Sequence, residues 1–227
     1  FCQDKIISTG GEGGMVSTND KKLWLKLWSL KDHGKNYKSV FYKKHKTGFK
    51  WLHDDLGSNY RMTEMQAVIG IAKLKSLDRQ IKKRNLIANF YLNGLKNYFQ
   101  KYNIFKKIDS KCQTCHLKQS KKSCNRCVHA FYRLNLFINK NKIKQVKQIK
   151  LIEQLNKKKI SCGIGACPEI YREKVFKKLE FFSKKKRLSN AKLLGETSIA
   201  FPINPYKSLT KLKSEISIIK KIMKKFI

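Results

Sequence analysis

Apolar residues recur at helical spacing at Leu23, Trp24, Leu27, Trp28 and Leu30, behind Asn19 and Asp20, either of which can cap the first turn. This pattern predicts a helix with both tryptophans in a core, ended by Lys31-Asp32-His33-Gly34. Residues 35–58 lose the period and read as a long polar and aromatic loop. His33, His45 and His53 lack the close pairing of metal ligands and read as surface residues or as part of a substrate entrance. Thr63-Glu64-Met65-Gln66 is a capping box that opens a second helix. Its apolar face, Met65, Ile69 and Ala72 with Ala67, Ile71, Leu74, Leu77 and Ile81, is too broad for one neighbour. The first half is therefore expected to be buried, against a second subunit.

From His129 the period changes to two. Tyr132, Leu134, Leu136 and Ile138 alternate with Phe131, Arg133, Asn135 and Phe137, which predicts a strand. A helix with Ile143, Val146, Ile152 and Leu155 inward follows, then a short strand near Ile160-Ser161-Cys162-Gly163. Residues 171–176 read as helical and 197–201 as extended, and Leu209, Leu212, Ile216, Ile219 and Met223 share one face of a terminal amphipathic helix. The order predicts an α/β fold in three parts: the end of a larger domain (1–100), a Cys- and Lys-rich insertion or linker (101–128) and a small α/β domain (129–227).

Composition adds partners and excludes some classes. A 41% hydrophobic and 11% aromatic content supports a packed core and excludes a disordered chain. A formal net charge of +37, from 52 Lys+Arg against 15 Asp+Glu, raises nucleic-acid binding. The lysines are spread along the chain with no nucleic-acid motif beside them, so that reading ranks second. No run of about 20 apolar residues is present to span a membrane. Cys112, Cys115, Cys124 and Cys127 form C-x2-C-x8-C-x2-C. Two close thiolate pairs suit a structural tetrahedral zinc ion, a redox-active pair, or reduced idle thiols. The clustering fits metal or free thiols better than a disulfide framework and points to the cytoplasm.

The chemistry concentrates at the start of the chain. Four glycines crowd around Glu12 in Gly10-Gly11-Glu12-Gly13-Gly14, a cluster that marks tight turns or close approach, and Met15-Val16-Ser17 is expected to be extended. Phe1, Lys5 and Gly11-Glu12-Gly13-Gly14 together resemble the active-site segment of the DegT/DnrJ/EryC1/StrS family of pyridoxal-phosphate-dependent sugar aminotransferases. A second family signature is Gly57, Asn59-Tyr60-Arg61-Met62 and Gln66-Ala67. Residues 163–171 and 194–198 look like one branch of that family, so the resemblance covers most of the chain outside about 97–128.

The resemblance implies the carboxyl-terminal part of a fold-type I transferase, beginning inside its active site, with these 227 residues inactive alone. It makes Lys5 the Schiff-base lysine, and Asn59 a ligand of the cofactor phosphate in a neighbouring subunit, so that a homodimer shares its active sites. Such a lysine needs its pKa lowered by burial or nearby cations. The implied substrates are a nucleotide-linked keto sugar and glutamate, which leaves as 2-oxoglutarate. Sugar dehydratases of the same fold replace the lysine with histidine, and Lys5 argues against them. A basic zinc-containing nucleic-acid-binding module is the alternative from another class. Many family members carry His-Tyr-Pro near the sugar, where this chain has Gly165-Ala166-Cys167 and Tyr171, so the sugar does not carry over.

Overall fold

The computed structural model describes residues 1–102, 105–106, 128–140, 148–165, 167–177 and 187–226. They divide into two compact units, Phe1–Leu77 and Asp78–Ile227. The composition shift at 96–110 lies inside the second unit.

In the first unit, helix α1 (Lys21–Lys31) is capped by Asp20, whose Oδ1 accepts from the backbone N–H groups of Lys22 at 2.8 Å and Leu23 at 3.1 Å. The region read as a loop contains a short helix, α2 (Tyr37–Phe41), capped by Asn36. Aromatic packing explains it, because Tyr37 meets Trp24 and Trp28 edge-on at 5.0 and 4.9 Å, and Phe41 meets Trp28 at 5.7 Å. The tryptophans thus form a surface cluster rather than a core, with Trp24 left 40% exposed. Helix α3 (Glu64–Lys75) has the predicted capping box, with Thr63 Oγ1 and Gln66 Oε1 accepting reciprocally. It stops at Ser76, and helix α4 (Leu77–Gly94) starts afresh, so the apolar stripe from Met65 to Ile81 is split between two helices. No α3 residue is buried by the described residues, and Met65 is 78% exposed, which leaves open the face expected to meet a second subunit. Residues 15–17 form no strand, since the described residues offer them no neighbour to pair with.

Backbone hydrogen bonds join the end of α1 to residues 52–60. Ser58 donates to the Leu30 carbonyl at 2.8 Å, Tyr60 to Lys31 at 3.0 Å, His33 to Ser58 at 3.1 Å, and Asp54 to Gly34 at 3.0 Å. The two segments come so close that a methyl group on Gly57 would overlap the Gly34 nitrogen, and one on Gly34 would overlap the Asp55 carbonyl. Asp32, with a side chain 13% exposed, closes the seam by pairing with Lys35 at 3.1 Å and Arg61 at 3.4 Å.

The second unit is a three-stranded antiparallel sheet in the order β1 (Phe105–Lys106), β2 (Arg133–Ile138), β3 (Ser198–Pro202). Leu134 lies opposite Phe201, and Leu136 opposite Ile199. The predicted alternation holds, with Leu134, Leu136 and Ile138 buried and Asn135 exposed. These residues pack with Tyr91 from α4, Leu95 at the junction, Tyr98 from α5 (Lys96–Gln100), Leu151 and Leu155 from α6 (Gln148–Lys157), and Leu212, Ile219 and Met223 from the terminal helix. Ile143 and Val146 lie outside the described residues. The strand expected at 160–163 is reduced to one bridge, Gly163 to Ala200. Asn156 explains this, because its side chain exchanges hydrogen bonds with the backbone of Cys162 at 3.0 and 3.2 Å and occupies groups a ladder would need. Residues 171–176 are broken by Glu173 into a 3₁₀ turn (Ile170–Arg172) and one helical turn, α7 (Lys174–Lys177). Helix α8 (Ser189–Thr197) leads directly into β3, and α9 (Leu209–Met223) is the predicted terminal helix.

Among the described residues this core holds the buried Arg84 guanidinium, which donates to the Ile203 carbonyl, and a buried carboxylate. Glu215 accepts hydrogen bonds from the Tyr91 hydroxyl and from Lys207 Nζ, the latter at 2.9 Å, with its side chain 5% exposed. Burial, then the bond to Glu215, raises the Tyr91 pKa far above the usual tyrosine range. Replacing the carboxylate strands the ammonium of Lys207. Glu215→Gln should therefore cost about 3 kcal/mol of stability, and Tyr91→Phe about 1 kcal/mol, in urea titrations. Gly57→Ala should cost about 1–3 kcal/mol through the overlap with Gly34. The Asp32 carboxyl is pulled up by burial, but the hydrogen-bonded Lys35, with Arg61 and Lys31, brings it below its ordinary value. Its stabilising contribution is thus complete above the ordinary carboxylate range and is lost as pH falls through the lowered folded value. Asp32→Asn should lower the urea midpoint at pH 7, and the difference from the unsubstituted chain should shrink steadily in acid.

Candidate active site

Both signatures lie in the first unit, and a side chain ties them together. Gln66 uses Oε1 for the capping box and sends Nε2 to the Glu12 carbonyl at 2.8 Å, fastening the glycine-rich segment to the first turn of α3. Thr9, 1% exposed, anchors the same segment through Oγ1, which donates to the carbonyls of Glu12 at 3.1 Å and Phe1 at 3.4 Å. A side chain on Gly13 would lie 2.6 Å from that hydroxyl, so this glycine is required by contact.

Lys5 stands in the turn that follows Phe1, its backbone N–H bonded to the Cys2 carbonyl at 3.0 Å. Its Nζ pairs with Asp4 Oδ1 at 3.0 Å, and the two side chains are 50% and 53% exposed. The amine is therefore accessible and lies beside a carboxylate, and the described residues do not give it the burial expected of an activated lysine. Asn59 precedes the amino end of α3, bridged to Asp32 across the seam. Its Oδ1 accepts from Arg61 Nε at 3.0 Å and from the Arg61 backbone N–H at 3.4 Å. Both acceptor contacts fall on the oxygen, which leaves the Nδ2 hydrogens for another acceptor.

These donors fit a ligand that carries an aldehyde and a phosphate. A primary amine within reach of solvent can condense with the first, and an amide N–H and the first turn of a helix can receive the second. Sequence reasoning proposed Lys5 and Asn59 from local motifs. It read Gln66 as a cap alone and missed both its bond to Glu12 and the grip of Asp32 on Arg61, which link residues far apart in sequence.

His45 Nε2 lies 2.7 Å from the Ser39 carbonyl, and His33 Nε2 lies 3.4 Å from Arg61 Nη2. Among the described residues no group of three or more His, Cys, Asp or Glu could hold a metal ion. Cys112, Cys115, Cys124 and Cys127 lie outside them. No helix of the described residues is long and apolar enough to cross a membrane.

In the second unit, Tyr171 donates to Glu169 Oε1 at 2.6 Å and accepts from the Leu188 N–H at 3.0 Å. Arg187 grips the same carboxylate at both oxygens, at 2.7 and 2.5 Å. The Arg187 hydrogen bonds, then that of Tyr171, hold the Glu169 carboxyl down to about 2. A mainly apolar cavity of about 540 Å³ lies alongside, lined by Pro168, Leu188, Ser189, Asn190, Ala191 and Leu194.

Known proteins agree with the motifs. An uncharacterized protein of Methanocaldococcus jannaschii is 28% identical over 98% of this chain and 52% of its own length. The GDP-perosamine synthase of Escherichia coli O157:H7 is 36% identical over 44% of this chain and 24% of its own. Among solved structures, an aminotransferase from Psychrobacter cryohalolentis superposes with a TM-score of 0.84 at 35% identity, over all of this chain and 55% of its own. The chain thus spans about half the length of its full-coverage relatives. The fold is that of the carboxyl-terminal half of a fold-type I pyridoxal-phosphate-dependent aminotransferase. The family model for DegT/DnrJ/EryC1/StrS aminotransferases matches residues 1–220, and the chain belongs to that family.

Proposed function

We propose that this chain carries the lysine half of the active site of a sugar aminotransferase that moves an amino group from glutamate to a nucleotide-linked keto sugar. The reading rests on one observation above others: Gln66 holds the Lys5 segment against the helix that begins just after Asn59 and Arg61. Bound pyridoxal phosphate would supply an electron sink beside the carbon that exchanges its nitrogen. Lys5 Nζ would bond to the cofactor aldehyde and, once displaced by the incoming amine, carry the proton between donor and cofactor carbons. Asn59 Nδ2 would bind the phosphate of the cofactor held by the neighbouring subunit of a homodimer.

The nucleotide-linked substrate is supported by the GDP-perosamine synthase relative and by the charge of +37, which favours approach of a diphosphate. The glutamate donor rests on the resemblance alone. A homodimer is supported by the exposed apolar face of α3, where Met65, Ile71 and Leu74 are 78, 56 and 61% exposed and need a cover. A reducing, cytoplasmic location fits the free thiols of Cys2, Cys162 and Cys167.

Borohydride reduction of the intact protein loaded with pyridoxal phosphate, followed by peptide mass mapping, should place the pyridoxyl group on Lys5. Lys5→Ala should abolish the label and lower transamination by at least about a thousandfold, the scale of a lost catalytic group. A label on any other lysine, or full activity of the variant, would refute the assignment.

A further inference from the structure

Arg61 is held along three edges of its guanidinium. Nε donates to Asn59 Oδ1 at 3.0 Å, Nη1 lies 3.4 Å from Asp32 Oδ1, and Nη2 lies 3.4 Å from His33 Nε2. His33 accepts there when its ring proton is on Nδ1. Asp32 and His33 are themselves set by the seam, Asp32 through its bridge to Asn59 and His33 through its N–H to the Ser58 carbonyl. Lys35 pins the same oxygen of Asp32 at 3.1 Å.

An asparagine amide has two nearly isosteric ends. One orientation offers N–H donors to an anion, and the other offers oxygen lone pairs that repel it. A free side chain samples both, and binding must then select one. Here the backbone N–H and the Nε–H of Arg61 both claim the oxygen, so the amide is set before any ligand arrives. We propose that Arg61 is a positioning residue: clamped by Asp32 and His33, it fixes the amide of Asn59 so that Nδ2 faces the phosphate of the cofactor. This rests on the reading that Asn59 receives that phosphate. A lysine at this position keeps the charge but cannot reach three partners in one plane.

The test measures the dissociation constant of pyridoxal phosphate by fluorescence titration of the intact apoprotein, with melting curves of the same samples. Arg61→Lys should weaken binding about tenfold, as removal of an orienting partner does at other sites, with little change in the melting temperature. Asn59→Ala should weaken it by at least as much. The double variant should bind no more weakly than Asn59→Ala alone, because a residue acting only through Asn59 has nothing left to orient. Asp32→Asn, which keeps the side-chain shape, should weaken binding several-fold in the presence of Asn59 and not in its absence. The proposal is overturned if Arg61→Lys binds as tightly as the unsubstituted protein, or if the losses from Arg61→Lys and Asn59→Ala multiply, which would mean direct contact or charge alone. An unsubstituted protein that takes up no pyridoxal phosphate would instead overturn the functional reading beneath it.

Discussion

The seam between the end of α1 and residues 52–60 is the constraint on which the first unit depends. A polypeptide backbone approaches another this closely only where side chains are missing, and Gly34 and Gly57 supply that gap. Once closed, the seam satisfies carbonyls at the carboxyl end of α1 that would otherwise lack partners. It also delivers Asn59 and Arg61 to the amino end of α3. The signature glycine and the signature asparagine are therefore parts of one device: the first permits the approach that positions the second.

The second unit is stabilised differently. Its core is a small sheet covered by helices, and within it Glu215 meets Tyr91 and Lys207. A buried carboxylate is tolerated there because two donors meet it, and the hydrophobic contacts around it hold those donors in place. The Glu169 cluster follows the same logic at the surface, where Arg187 and Tyr171 brace the turn after Pro168 beside the cavity.

Local signals were legible in the chain. The period-two run at 133–138, the capping box at Thr63 and the face of α9 follow from neighbour spacing and emerge as read. Burial was read less well, because it depends on partners distant in sequence. The stripe on α3 has the composition of a buried face and finds no cover among the described residues, while α2 exists because Trp24 and Trp28 meet Tyr37. The strand expected at 160–163 yielded to a side chain of α6 that competed for its backbone.

The same division runs through the active site. The sequence alone pointed to the family and singled out Lys5 and Asn59 as candidates, because short motifs preserve residue types whose chemistry is intrinsic. Only the tertiary structure decided that Gln66 joins the two motifs and that Asp32, 29 positions away, grips the arginine orienting Asn59. Hydrogen bonds are directional and short-ranged, so their partners are set by how the chain returns upon itself, which residue order does not display.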